Sequence, residues 1–273
     1  TGYTFAGWAT SSSGTVSKVD AASATLLADT TYYAIWTAVK YHITYNGNGS
    51  TGGSVPSDTT DYYQGGTVSI SGNTGLLVRT GYDFVAWNNN AGNTGVDYLP
   101  GLANSNVVVN GADVTMYAKW SKVSYYIYYD VQGGSSVLNG TYQIGDSVTL
   151  PSGPTKTGYT FAGWFAAATG GTSLGSTYSP PATGQITIYA HWTPVNYTVT
   201  YSGNGGNSGS VPTDANNYNI GGTITVLGNT SNVGKTGYTF SGWTTDAANT
   251  GTLYTAGSTI TVGSANVTLY VKW

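Results

Sequence analysis

Hydrophobic and polar residues alternate in short runs along this chain, and the runs recur. Three of them open alike: Tyr41-His42-Ile43-Thr44-Tyr45, Tyr125-Tyr126-Ile127-Tyr128-Tyr129 and Tyr197-Thr198-Val199-Thr200-Tyr201. A period of two puts Tyr, Ile or Val, and Tyr on one face and mostly polar residues on the other, which predicts a half-buried strand. Gly-rich turns follow, as in Asn46-Gly47-Asn48-Gly49 and Gly203-Asn204-Gly205-Gly206. A short second strand is expected at Thr67–Ile70, Ser147–Leu150 and Thr223–Val226. A closing strand is expected where Val114, Met116, Ala118 and Trp120 alternate with Thr115, Tyr117 and Lys119. The same phase recurs in Ile186, Ile188, Ala190, Trp192 and in Val267, Leu269, Val271, Trp273. No long window carries a 3.6-residue apolar period, so at most a helical turn is expected, for example near Asp20–Leu27. The pattern predicts mainly β units of about four or five strands each.

Between second and closing strands lies the phrase Thr-Gly-Tyr-x-Phe-x-x-Trp, which occurs four times: Thr1 to Trp8, Thr80 to Trp87, Thr157 to Trp164 and Thr236 to Trp243. Its glycines, Gly2, Gly81, Gly158 and Gly237, are 79, 77 and 79 residues apart, and each unit closes on a Trp: Trp36, Trp120, Trp192 and Trp273. That period exceeds the roughly 20–50 residues of solenoid repeats and suits a tandem array of small domains, each with its own core. The repeat units are 41–120, 125–192 and 197–273, and residues 1–36 form the C-terminal half of another. A chain that opens midway through a unit is expected to be an excerpt of a longer repetitive protein, or a subunit completed by a neighbour through end-to-end self-association. The structural repeat motif comprises Tyr3, Phe5 and Trp8 with Trp36, Tyr82, Phe84 and Trp87 with Trp120, Tyr159, Phe161 and Trp164 with Trp192, and Tyr238, Phe240 and Trp243 with Trp273. Its aromatics are expected to enter the core of each whole unit, whereas the leading half, lacking its opening strands, is expected to expose Tyr3, Phe5 and Trp36. The linkers Thr37–Lys40, Ser121–Ser124 and Thr193–Asn196 are four residues long, each with Val at its third position. Such linkers lack the length and Gly/Ser content of a flexible tether, so an extended rod on the order of 100 Å is expected from the size of each bead. Units 41–120 and 197–273 share Gly-Asn-Thr (Gly72–Thr74, Gly228–Thr230) and Asn-Thr-Gly (Asn93–Gly95, Asn249–Gly251), which 125–192 lacks. Two alternating types are therefore expected, A for those two and B for 125–192 and the leading fragment.

Composition narrows the function. Charged residues make up 7% of the chain, with eleven Asp and no Glu, against roughly 25% in an ordinary soluble domain. An aromatic content of 14% separates it from disordered sequences. A net charge of −3 offers nothing to nucleic acid or to anionic lipid, and no apolar run approaches the ~20 residues of a membrane span. With no Cys, disulfide and thiolate chemistry are excluded. A Thr/Asn/Gly/Tyr-rich, charge-poor chain without disulfides fits an extracellular location on a bacterial cell surface better than a secreted animal domain.

Candidate chemistry is thin. His42 and His191 lie in different units at outward strand positions and have no histidine counterparts in the other repeats, which reads as two solvated surface histidines. The Asp residues do not recur as flanked pairs of the kind glycoside hydrolysis needs. No calcium loop or zinc cluster is present, so no catalytic residue, metal site or cofactor is expected. A Lys–Asn isopeptide lock is disfavoured because Arg79 and His191 fill recurrent lysine positions. All eight Trp and four of the five Phe belong to the repeat pattern, which leaves no Trp over for recognition. Tyr126 and Tyr128 stand out where the other units carry His42, Thr44, Thr198 and Thr200, and Phe165 directly follows a motif Trp. These three mark the one place where a glycan or partner surface is expected; otherwise they are β-favouring surface residues.

The opening strand, the x-Gly-Gly turn, Thr-Gly-Tyr-x-Phe-x-Gly-Trp and the closing Tyr-Ala-x-Trp together resemble the Listeria–Bacteroides repeat family, also called internalin B-repeats, over nearly the whole chain. The resemblance implies compact β-grasp-like modules in tandem in bacterial surface and secreted proteins, and no catalytic signature. Ala86 departs from the motif Gly, and Ile35 and His191 stand where Lys119 and Lys272 stand elsewhere. The expected function is a non-enzymatic structural protein, a stalk or fibre segment whose partners are other repeats and domains of the same longer chain. The alternative is an adhesin-type module for glycan or host protein.

Overall fold

The computed structural model describes residues 1–13, 29–99, 106–181 and 183–273. The helical turn expected near Asp20–Leu27 lies outside them. Among the described residues every regular element is a strand. The leading fragment supplies β1 (Tyr3–Ala9) and β2 (Tyr33–Ala38). Repeat 41–120 supplies β3 (Ile43–Asn46), β4 (Thr67–Ser69), β5 (Tyr82–Asn88), β6 (Asp97–Tyr98), β7 (Asn106–Val108) and β8 (Val114–Lys122). Repeat 125–192 supplies β9 (Ser124–Asp130), β10 (Gly140–Gln143), β11 (Val148–Thr149), β12 (Tyr159–Phe165), β13 (Thr177–Tyr178) and β14 (Ile186–Pro194). The last repeat supplies β15 (Val199–Ser202), β16 (Thr223–Thr225), β17 (Gly242–Thr244), β18 (Thr259–Thr261) and β19 (Val267–Lys272).

One plan serves each whole repeat. The opening strand lies parallel to the closing strand, Ile43 beside Val114 and Val199 beside Val267. The motif strand lies antiparallel on the closing strand's other side, Phe84 opposite Trp120 and Phe161 opposite Trp192. The sheet orders are β3-β8-β5-β6, β10-β9-β14-β12 and β15-β19-β17. A second, two-stranded sheet completes each repeat: β4-β7, β11-β13 and β16-β18. This pairing brings the strand number to six in the first two whole repeats, above the expected four or five, and to five in the last, among the described residues; the strand before the closing strand is too short to show an alternation of its own.

The repeated phrase explains itself in this frame. Its Gly is the third residue of a tight turn, with Tyr82 N–H donating to Arg79 O at 2.9 Å and Gly81 at φ 77°, a conformation that requires a residue tolerant of positive φ. The motif strand then bulges between Phe84 and Ala86, and between Phe161 and Gly163. Gly163 takes the bulge at φ 131°, and Gly242 stands at the matching place at φ 144°, whereas Ala86 is fully buried and is not among the positive-φ residues. The next residue in each repeat, Trp87, Trp164 or Trp243, turns into the core, where the three are 0%, 2% and 0% exposed. Their indole N–H groups donate to Ser71 O, Pro151 O and Leu227 O at 2.9, 2.8 and 2.9 Å, so the deepest polar atom is satisfied in every repeat. Phe84, Phe161 and Phe240 pack edge-on between the motif Trp and the closing Trp. The cores are separate clusters, centred on Trp87, Trp164 and Trp243.

The segments read as linkers are partly strand: β2, β8 and β14 run on to Ala38, Lys122 and Pro194. The Val N–H then donates to the motif Gly carbonyl each time, Val39 to Gly2, Val123 to Gly81 and Val195 to Gly158, at 2.9, 3.0 and 2.9 Å. The chain divides into two compact units, Thr1–Ser124 together with Pro181–Thr183, and Tyr125–Pro180 together with Gly184–Trp273. Inside each unit one motif Gly abuts the next repeat. A Cβ at Gly2 would stand 2.4 Å from Cβ of Gln64, and one at Gly158 would stand 2.4 Å from Cγ2 of Ile220.

Candidate functional site

The outward face of the β10-β9-β14-β12 sheet differs from the corresponding faces of its neighbours. Ile127 on β9 and Ile188 and Ala190 on β14 point into the core, so alternation turns Tyr126, Tyr128, Thr187, Tyr189 and His191 outward. Parallel pairing sets Thr187 beside Tyr128 and Tyr189 beside Asp130, and on β12 Phe165 lies opposite Tyr189. Tyr126 and Tyr128 are 53% and 39% exposed, and their rings stack at 6.0 Å with 26° between planes. Phe165 and His191 stack at 3.8 Å and 8°. The result is a band of rings across three adjacent strands.

Polar groups fix the rings. The Tyr128 hydroxyl donates to Gln185 Oε1 at 3.0 Å. His191 Nε2 lies 2.9 Å from Ala167 O and must donate to it, since a carbonyl only accepts. His191 is thus a held, half-buried ring, not the solvated surface histidine its position suggests, because Phe165 covers one face of it. His42 also has partners: its Nε2 is 3.2 Å from Asp61 Oδ1, and Asp61 in turn pairs with Lys40 at 2.5 Å. Below the band, Ala166, Tyr178, Thr187 and Tyr189 line an open hollow of about 350 Å³. A hollow also occurs in repeat 41–120, lined by Asn89, Tyr98 and Val114, so the depression is not peculiar to 125–192, where Tyr189 lines it beside Tyr178.

The sister faces show what the aromatics replace. Thr44 and Thr115, and Thr200 and Thr268, hydrogen-bond across the same strand pair at 3.1 Å. Lys119 and Lys272 occupy the place of His191, Lys119 pairing with Asp97 at 2.5 Å. Asn88 and Thr244, the counterparts of Phe165, are fully buried, and Asn88 donates to Asp97 at 2.6 Å. The structure therefore brings Tyr126, Tyr128 and Phe165 onto one face and adds Tyr189, His191 and Gln185. Tyr189 escapes sequence reasoning because Tyr117 and Tyr270 recur at its position; the parallel register is the missing information.

The motif aromatics divide by location. Those of the three whole repeats are buried or half-buried except Tyr238, whereas Tyr3, Phe5, Trp8 and Trp36 of the leading fragment are exposed. Arg79, Lys156 and Lys235 each lie over the ring of the motif Tyr three residues on, at 4.2, 4.6 and 4.4 Å, a latch on the turn and not a free cationic site. Among the described residues no group of three or more His, Cys, Asp or Glu could hold a metal, and no helix is long and apolar enough to cross a membrane.

The profile of the Listeria-Bacteroides repeat domain matches residues 1–35, 41–119, 125–191 and 197–272. A protein of Evansella cellulosilytica, named as a Gly-rich membrane protein, is 30% identical over the full chain, which spans 30% of that relative's length. Internalin H of Listeria monocytogenes is 34% identical over 42% of the chain and 20% of its own length. The chain thus spans between 20% and 35% of the length of the curated relatives it matches. Among solved structures, domains 3–4 of the streptococcal tandem repeats of high identity from a cell surface protein align with 57% of this chain and 99% of theirs, at 16% identity and a TM-score of 0.24.

Proposed function

The chain belongs to the Listeria-Bacteroides repeat domain family, and from that premise we propose that it is a non-catalytic stalk segment of a bacterial surface protein, in which stiffly joined repeats connect or display other domains of a longer chain. Mainly β tandem repeats and relatives among surface repeat proteins support a structural or surface-repeat role over a catalytic one. The observation that carries the finer reading is the junction at Val195. Its N–H donates to Gly158 O of one repeat, while its side chain packs against the Tyr197–Val271 core of the next. Gly158 beneath Ile220 closes the same junction. A joint held by a hydrogen bond and by apolar packing resists rotation, which is what a spacer needs and a tether lacks.

The test uses the cysteine-free background. Nitroxide labels at Thr160→Cys and Thr198→Cys flank this junction, and pulsed dipolar spectroscopy should give one narrow distance distribution. A distribution as broad as that of a Gly/Ser linker would remove the stalk reading.

A further inference from the structure

Why does one repeat of this array wear aromatic rings on its solvent face? Packing does not require them. The sister repeats close the same sheet with Thr44 and Thr115, or Thr200 and Thr268, and with a lysine where His191 stands. Exposed contiguous apolar surface costs solubility and marks contact sites in soluble proteins. Among the three whole repeats, outward tyrosine rings on both the opening and the closing strand occur in 125–192 alone, and no aliphatic side chain stands at the outward positions of β9 and β14.

We propose that the band formed by Tyr126, Tyr128, Tyr189, His191 and Phe165 is a stacking platform for a neutral polysaccharide. The face of an aromatic ring is electron-rich. A pyranose presents axial C–H groups of opposite polarity on one face and hydroxyls around its rim. The platform offers both complements. Tyr126 and Tyr128 present successive rings along β9, inclined by only 26° to each other, and Phe165 on His191 supplies a second, rigid stack two strands away. Beside the rings stand the Gln185 amide, whose oxygen already accepts from Tyr128, the Thr187 hydroxyl and the Asp130 carboxylate, suited to sugar hydroxyls. The hollow edged by Thr187 and Tyr189 gives the rim a recess.

Charge selects the occupant. The lysine of the sister faces is gone, and Asp130 is the one acidic group at the outward positions of β9, so the band offers no lysine or arginine to hold nucleic acid or an anionic polymer. A peptide strand would gain little from flat rings on a sheet face, since main-chain recognition uses sheet edges. An uncharged sugar polymer meets both limits. This binding goes beyond the stalk reading and is independent of it, because a spacer with or without the platform has the same junctions.

The experiment titrates the full 273-residue chain with cellohexaose, maltohexaose, laminarihexaose and mannohexaose, followed by calorimetry and tyrosine fluorescence. Saturable binding to at least one is expected. Tyr126→Thr with Tyr128→Thr, which installs the residue type the last repeat already uses, should weaken it at least tenfold without lowering the melting temperature. Tyr117→Thr and Tyr270→Thr on the sister faces should leave it unchanged. No saturable binding to the panel overturns the proposal, as does binding indifferent to the double substitution. Concentration-dependent dimerisation abolished by the same double substitution would also overturn it, by showing that a second copy occupies the band.

Discussion

Repeats 125–192 and 197–273 share one sheet plan and differ in almost everything around it. Both bury the motif Trp and satisfy its N–H on a backbone carbonyl. Counting that Trp, the core of the last repeat holds ten buried hydrophobic residues and that of the middle one six, among the described residues. In 197–273 the opening Tyr201 hydroxyl accepts from Leu227 N–H at 2.8 Å, and Tyr45 does the same for Ser71 N–H at 2.9 Å in 41–120. In 125–192 the equivalent position is Pro151, which has no N–H to give. The outer edge differs as well. β10 lies next to β9, whereas Tyr197 bridges Tyr218, whose hydroxyl donates to Asp214 at 2.7 Å. The core phase is common because the bulge and the Phe between two Trp leave little freedom. Edges and outer faces, under no such constraint, have diverged, and it is there that a repeat can acquire a separate task.

The largest expected break comes from the shared element. Trp164→Ala should cost ~3–5 kcal/mol, as large-to-small core changes do, and the smaller core of 125–192 should unfold as a repeat. Trp243→Ala should cost as much against a larger core and leave residual structure. Denaturant unfolding followed by limited proteolysis distinguishes the two. A melting profile of Trp164→Ala close to the parent's would defeat the assignment of Trp164 to the core.

Next comes the bulge. Gly163→Ala places a Cβ 2.6 Å from Ser173 Oγ at φ 131°, for a loss of about 1–3 kcal/mol. Ala86→Gly, in the repeat that already bends without positive φ, should cost only about 0.5–1 kcal/mol through backbone entropy. Equal losses at the two sites would mean that the bulges are alike.

The tyrosine hydroxyl sharpens the comparison further. Tyr201→Phe and Tyr45→Phe each leave a partly buried amide without its partner, at about 1 kcal/mol. Tyr129→Phe, facing Pro151, should be near neutral in the same thermal melts. A loss at Tyr129 matching that at Tyr201 would show that the proline makes no difference.

The smallest effect is electrostatic and belongs to repeat 41–120. Hydrogen bonds from Lys119 and then Asn88 hold Asp97 below the usual carboxylate range, and the Lys40 hydrogen bond does the same for Asp61. A carboxyl whose folded pKa is depressed contributes stability above its unfolded pKa and loses it as pH falls through the folded value. Between about pH 5 and pH 2 the melting temperature of this repeat should therefore fall by a few degrees at most, since both pairs are largely exposed. Asp97→Asn should remove part of that dependence. An acid response unchanged by Asp97→Asn and by Asp61→Asn would assign it to other groups.

The sequence by itself carried the period, the three strands with the clearest alternation and the burial of the motif Trp, because each is a local signal repeated in register. It also singled out Tyr126, Tyr128 and Phe165, since a residue that breaks a repeat is visible without coordinates. Three things needed tertiary structure. The two-stranded sheets pair the legible second strand with a segment some thirty to forty residues further on, such as Val68 with Val107, and that partner is too short to announce itself. An apolar Val in a short linker points by itself to packing at the junction, but only the structure shows that the Val195 N–H also bonds back to Gly158 of the preceding repeat. And the parallel register of β9 on β14 alone decides that Tyr189 and His191 join Tyr126 and Tyr128. Alternation says which face a residue takes, but which residues share a neighbourhood on that face depends on strand order, and strand order is set by packing between distant parts of the chain.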